Sequence, residues 1–144
     1  IFYIEYHLKP YNLQKSKLIR YFGVISAISF SFVGLFSIEY GAIHYIFALF
    51  AFWGYFFTAN FSFNILNKEL RTQEFPASKL KNIQRFSKYF SIYFNISASL
   101  CLGSFIFNKM ILNQEIWPPV EWNYLIAICI WLLLWPVVVK NLEK

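Results

Sequence analysis

Four long apolar runs without a charge in their central parts constrain this chain more than any other feature. A helix needs about 20 mostly apolar residues to cross a hydrocarbon core roughly 30 Å thick. The runs at about 18–38, 42–66, 86–107 and 121–139 each meet that length. In lipid a backbone must satisfy its own hydrogen bonds, so such runs read as helices. The expected fold class is therefore all-α: a polytopic membrane protein with four transmembrane helices in two hairpins. Residues 1–144 read as a single transmembrane helical domain. Ile1–Leu8 reads like the end of a helix, and it lacks the basic, apolar and small-residue order of a signal peptide.

Composition excludes several classes. Hydrophobic residues make up 58% and charged ones 14%, against about 25% charged in soluble domains. That excludes a disordered chain, which needs low hydrophobicity and high charge. Two cysteines exclude a disulfide scaffold. The acids are all Glu, and no Asp occurs.

The net charge of +6 reflects membrane topology rather than nucleic-acid binding. Of the 13 Lys and Arg, all but Lys109 fall on one side of the four runs. Lys and Arg mark cytoplasmic loops. Ile1–Arg20, Asn67–Arg85 and the tail from Lys140 are expected to face the cytoplasm or its organellar equivalent. Ser37–Gly41 and Asn108–Val120 are expected on the other side. Tyr21, Tyr89, Trp117, Trp122, Tyr124 and Trp135 lie near run ends, where amphipathic rings prefer the headgroup level.

Small and polar residues suggest the contacts. Gly23, Ala27 and Ser31, followed by Gly34, form one stripe. Ala48, Ala51, Gly54 and Thr58 form a second, and Ser87, Ser91, Asn95 and Ser99 a third. Such stripes let helices approach closely in lipid. The fourth run is bulky nearly all round, so it is expected to be peripheral or to meet another subunit. Arg20-Tyr-Phe-Gly-Val and Lys88-Tyr-Phe-Ser-Ile form a faint repeat at an offset of 68 positions, with chance as the competing explanation.

Chemistry is sparse. His7 and His44 lie on opposite sides and cannot share a metal. Cys101 and Cys129 read as small apolar core residues, without metal-ligand spacing. Asn60, Asn64 and Asn95 are expected to bridge helices. One constellation stands out: Glu39, His44 and Glu121, all near the outer surface at helix ends. Ionisable groups at such depths are costly and usually paired. A structural role leads, such as a glutamate–histidine hydrogen bond between the second and fourth runs that pins the hairpins together, with lipid-headgroup or metal binding as the alternative. For Glu121, Pro118-Pro119 sets a helix start, and an acid in the first turn favours the positive end of the macrodipole. No catalytic or cofactor-binding residue is expected, and no cofactor.

The run Val33-Gly-Leu-Phe, then His44-Tyr-Ile-Phe-Ala-Leu-Phe-Ala-Phe, resembles a stretch in DRAM-like six-helix membrane proteins and in a similar uncharacterised prokaryotic six-helix family. Val120-Glu-Trp through Trp131-Leu-Leu-Leu-Trp135 is similar to the last helix of those proteins. The resemblance implies that the chain supplies the last four helices of a six-helix bundle, with Ile1–Leu8 the tail of the preceding one. It also implies a lipid-associated or organising role, with His44 and Glu121 at recurring polar positions. The expected function is a non-catalytic accessory or scaffold subunit of a larger membrane complex. A DRAM-like lipid-organising protein is the first alternative, and a small transporter or channel component the second. The expected partners are membrane lipids and other membrane protein subunits, with no nucleic acid.

Overall fold

The computed structural model describes residues 1–36, 41–69, 77–106 and 118–140, without the side chains at 69, 77–80, 105–106, 118–121 and 139. The described residues are all-helical. The helices are α1 (Phe2–Leu8), α2 (Leu13–Leu35), α3 (Ala42–Glu69), α4 (Ala77–Ile106) and α5 (Pro118–Lys140). They divide into two units, Ile1–Gln73 and Glu74–Lys144.

In the first unit the chain reverses after α1. The N–H groups of Tyr11 and Asn12 donate to the Leu8 carbonyl at 3.1 and 3.3 Å. Asn12 then caps α2, its side chain accepting from the Lys15 N–H at 3.0 Å. A capping side chain supplies one of the partners that a helix start lacks.

The hairpin of α2 and α3 is held along its length by antiparallel pairs. Phe32 stacks on Phe47 with ring centroids 4.8 Å apart. Phe22 lies 5.2 Å from Phe57. At the far end, Lys15 Nζ donates to Asn64 Oδ1. Aromatic pairs of this kind contribute about 0.5–1.5 kcal/mol each beyond buried area. Between them the backbones meet at Gly54, where an added Cβ would run into Ser26 Oγ and lie 3.0 Å from the Phe22 carbonyl oxygen.

In the second unit α4 packs on α5. Phe94 meets Tyr124 at 5.5 Å. Asn123 links both helices, donating to Ser97 Oγ at 3.0 Å and accepting from the Tyr93 hydroxyl at 3.1 Å.

Two helices, at Leu13–Leu35 and Ala42–Lys68, are long and apolar enough to cross a membrane. In α5 the apolar stretch is the shorter Trp122–Val138. Helix boundaries also differ from the apolar runs. The polar stretch expected to link the second and third runs is helical from Ala77 onward. The reason is that Lys, Leu, Gln and Arg are good helix formers whatever their polarity.

The small-residue stripes correct in register. Gly23 is buried, but Ala27, Ser31 and Gly34 are exposed. Ser87 is buried, while Ser99 is exposed. The buried faces instead follow Ser16, Ile19, Gly23 and Ser26 on α2, and Ser87, Phe94 and Cys101 on α4. A four-residue step turns about 40° around a helix, so a third step departs by about 120°. A seven-residue step slips by only about 20° and stays on the seam. On α3, Ala51, Gly54 and Thr58 are buried as expected, because they alternate steps of three and four.

The fourth run does bury one face: Tyr124, Ala127, Ile128, Trp131 and Trp135 of α5 are buried. Bulk did not exclude this face from packing, since those positions follow the three-and-four spacing of a buried stripe. Of the rings near the run ends, Tyr21, Tyr89 and Trp122 are exposed and Tyr124 and Trp135 are buried, and Trp117 lies outside the described residues.

Candidate functional site

The sequence singled out Glu39, His44 and Glu121. Glu39 lies outside the described residues, and so does the side chain of Glu121, whose backbone belongs to the first turns of α5. His44 is described, and it is already engaged. Its Nδ1 lies 2.7 Å from the Phe36 carbonyl oxygen. A carbonyl only accepts, so Nδ1 carries the proton of this bond.

The position of His44 follows from local structure. Phe36 ends α2 in an extended conformation, and its own N–H donates to Phe32. Gly41 has φ +51, the left-handed region that glycine enters without steric cost. Helix α3 starts at the next residue, which brings His44, one turn in, back toward the end of α2. Helix ends leave carbonyls without intrahelical partners. His44 thus ties the start of α3 to the end of α2 within one hairpin, whereas the glutamate–histidine bond expected to pin the two hairpins together involves Glu39 and Glu121, whose side chains lie outside the described residues.

A substitution checks this. His44→Phe keeps a ring on α3 and removes the bond. It should lower stability by about 0.5–1.5 kcal/mol, the usual net contribution of one hydrogen bond. Thermal unfolding in detergent reads the difference. An unchanged midpoint would show that the ring alone fills the role.

Of the three asparagines expected to bridge helices, Asn64 does so through Lys15. Asn60 and Asn95 also donate within their own helices, to Phe56 O at 2.9 Å and Ser91 O at 2.8 Å. An amide reaches the carbonyl four residues back with little cost. Cys101 is buried as expected, but Cys129 is exposed on α5, and both are free thiols. It shares an outward face with Trp122, Ile126 and Leu133.

The residues missed from sequence are Asn123, Tyr93 and Ser97. Tyr93 and Ser97 stand one turn apart on α4, and Asn123 is the one amide in the apolar part of α5. That combination was the available signal. Their network orders the α4–α5 contact and needs no ligand to satisfy it. Among the described residues, no three His, Cys or Glu come together as metal ligands.

The chain matches no protein-family model, no curated protein and no solved structure. The class that fold and side chains define is thus a helical protein with two candidate membrane-spanning helices.

Proposed function

We propose that the chain is a non-catalytic, multi-pass integral membrane protein that serves as an accessory or scaffold subunit of a larger membrane complex. One observation carries this reading. Helices α2 and α3 are strongly apolar, yet only 22% and 28% of their apolar stretches are buried. The core helix of a water-soluble protein would be mostly buried. Here Ile25, Ile28, Leu35, Ile46, Leu49 and Phe50 point outward instead. Surfaces of that kind need lipid or another apolar helix against them.

The four-span arrangement extends the same logic. Helix α4 carries no charge from Tyr89 to its end, and α5 none from Trp122 to Val139. At about 1.5 Å per residue, each uncharged stretch approaches the thickness of the hydrocarbon core. The resemblance to six-helix membrane proteins supports a multi-pass architecture. The placement of every Lys and Arg except Lys109 supports ends that face the cytoplasm.

The test is purification in mild detergent from native membranes, with mass measurement and identification of co-purifying chains. We expect resistance to alkaline extraction and a complex larger than the 17.2 kDa chain. A stable monomer with no companion protein would overturn the subunit role. Release at alkaline pH would overturn membrane integration itself.

A further inference from the structure

We propose that the α1–α2 end of the first unit binds anionic phospholipid headgroups through Lys9, Lys15, Lys17, Arg20 and Lys68. The proposal deepens the membrane-spanning reading above and rests on it.

Three contacts gather these cations. The chain reverses between Leu8 and Asn12, so α1 lies back along the first turns of α2. An added Cβ at Gly23 would meet Ile1 Cγ2 at 2.5 Å, which fixes α1 antiparallel to α2. Lys9 therefore sits at the start of α2, near Lys15 and Lys17. The Lys15–Asn64 bond then draws the end of α3 to the same place. Lys68, one turn beyond Asn64, is exposed there.

The charge of this end is poorly balanced from within. By sequence two acids, Glu5 on α1 and Glu69 at the last residue of α3, accompany the five cations here. Five cations at this end repel one another, and an anionic surface relieves the repulsion.

Aromatic side chains fix the depth. Phe2, Tyr3 and Tyr6 project from α1, and Tyr21 from α2, all exposed. The Arg20 guanidinium carbon stands 5.5 Å from the Tyr21 ring centroid. Rings with cations beside them are characteristic of the headgroup level. The uncharged run of α2 begins at Tyr21, directly after Arg20. Lys stems can lie along apolar surface while their ammonium groups reach lipid phosphates. A nucleic acid or soluble anion would meet the same charges but would make no use of the exposed rings.

Native mass spectrometry of the whole chain tests the proposal, in detergent with equal amounts of phosphatidylglycerol and phosphatidylcholine. The unmodified chain should retain phosphatidylglycerol several-fold over phosphatidylcholine. Lys9→Gln, Lys15→Gln, Lys17→Gln, Arg20→Gln and Lys68→Gln together should bring that ratio to about one. The corresponding set of Lys→Arg substitutions should keep it, which separates lost charge from lost fold. Solution at about 1 M salt, where screening acts within ~3 Å, should lower the ratio for the unmodified chain. Equal retention of both lipids by the unmodified chain would overturn the proposal. So would a preference that survives the five glutamines. Failure of the membrane reading would show differently, as release of the chain by alkaline extraction.

Discussion

Gly54→Leu should separate α2 from α3 and lower stability by about 3 kcal/mol, at the upper end of what overpacking commonly costs. The cause is local. A Cβ at Gly54 has no room against Ser26 Oγ, and the Phe22 carbonyl oxygen stands 3.0 Å away. Backbone cannot yield as a flexible side chain does. In lipid, helices associate through close packing and shared hydrogen bonds rather than through the hydrophobic effect. Losing close approach at the middle of the hairpin therefore removes the main attraction, including the flanking Phe22–Phe57 and Phe30–Tyr55 contacts. The comparison is built into the chain. Gly34 and Gly103 have open space where a Cβ would go, so Gly34→Leu and Gly103→Leu should leave the midpoint of thermal unfolding in detergent nearly unchanged. Gly23 should fall between, because its obstacle is the side chain of Ile1. An equal response from all four glycines would refute tight α2–α3 packing.

The second large effect concerns orientation, where the readout is all or none. In a chain with Cys101 and Cys129 replaced by Ser, Ala42→Cys should react with an impermeant maleimide added to intact cells. Gln14→Cys should react only after the membrane is opened. Both positions are exposed, at opposite ends of the α2–α3 hairpin. The expectation comes from the cations flanking the start of α2 and the end of α3, and from their absence at the turn between them. Moving one charge against the membrane potential costs about 2.3 kcal/mol per 100 mV. The Gln73 and Gln114 positions, which lie outside the described residues, offer a parallel pair for the second hairpin. Labelling of Gln14→Cys alone in intact cells would reverse the orientation, and labelling of both would rule out a spanning hairpin.

Helix positions were legible in the sequence because lipid and helix impose the same demand, a long run without charge. Which side of each helix faces its neighbour was less legible. Gly23 and Ser87 were identified as contacts, but the stripes drawn from them at four-residue spacing wound off the seam. Gly54 and Thr58 were read correctly because their neighbours alternate three and four. The start of α4 at Ala77 was hidden because polarity marks the edge of a membrane run, not the edge of a helix. The burial of Trp131 and Trp135 was hidden for a related reason. Close approach by small residues is one way to pack a helix, and a buried stripe of larger side chains at three-and-four spacing is another.

The proposed polar cluster was only partly legible. His44 was singled out for its depth, and a hydrogen bond was expected of it. Its partner, the Phe36 carbonyl, has no signature in sequence, because every residue carries a carbonyl. Which carbonyl needs a donor depends on where α2 ends. The Asn123 network was passed over because Tyr93 and Ser97 looked ordinary in a chain rich in Tyr and Ser.

The length of α4 has a mechanical consequence. Its 30 residues extend about 45 Å. Its first half bears Lys81, Arg85 and Lys88. From Ala77 to Leu102 it has neither Gly nor Pro, the residues at which helices usually bend. A helix with no such joint behaves as a stiff lever. A force applied to its basic end would not be absorbed on the way. It would arrive as a tilt at Tyr93 and Ser97, and through Asn123 it would be felt by α5.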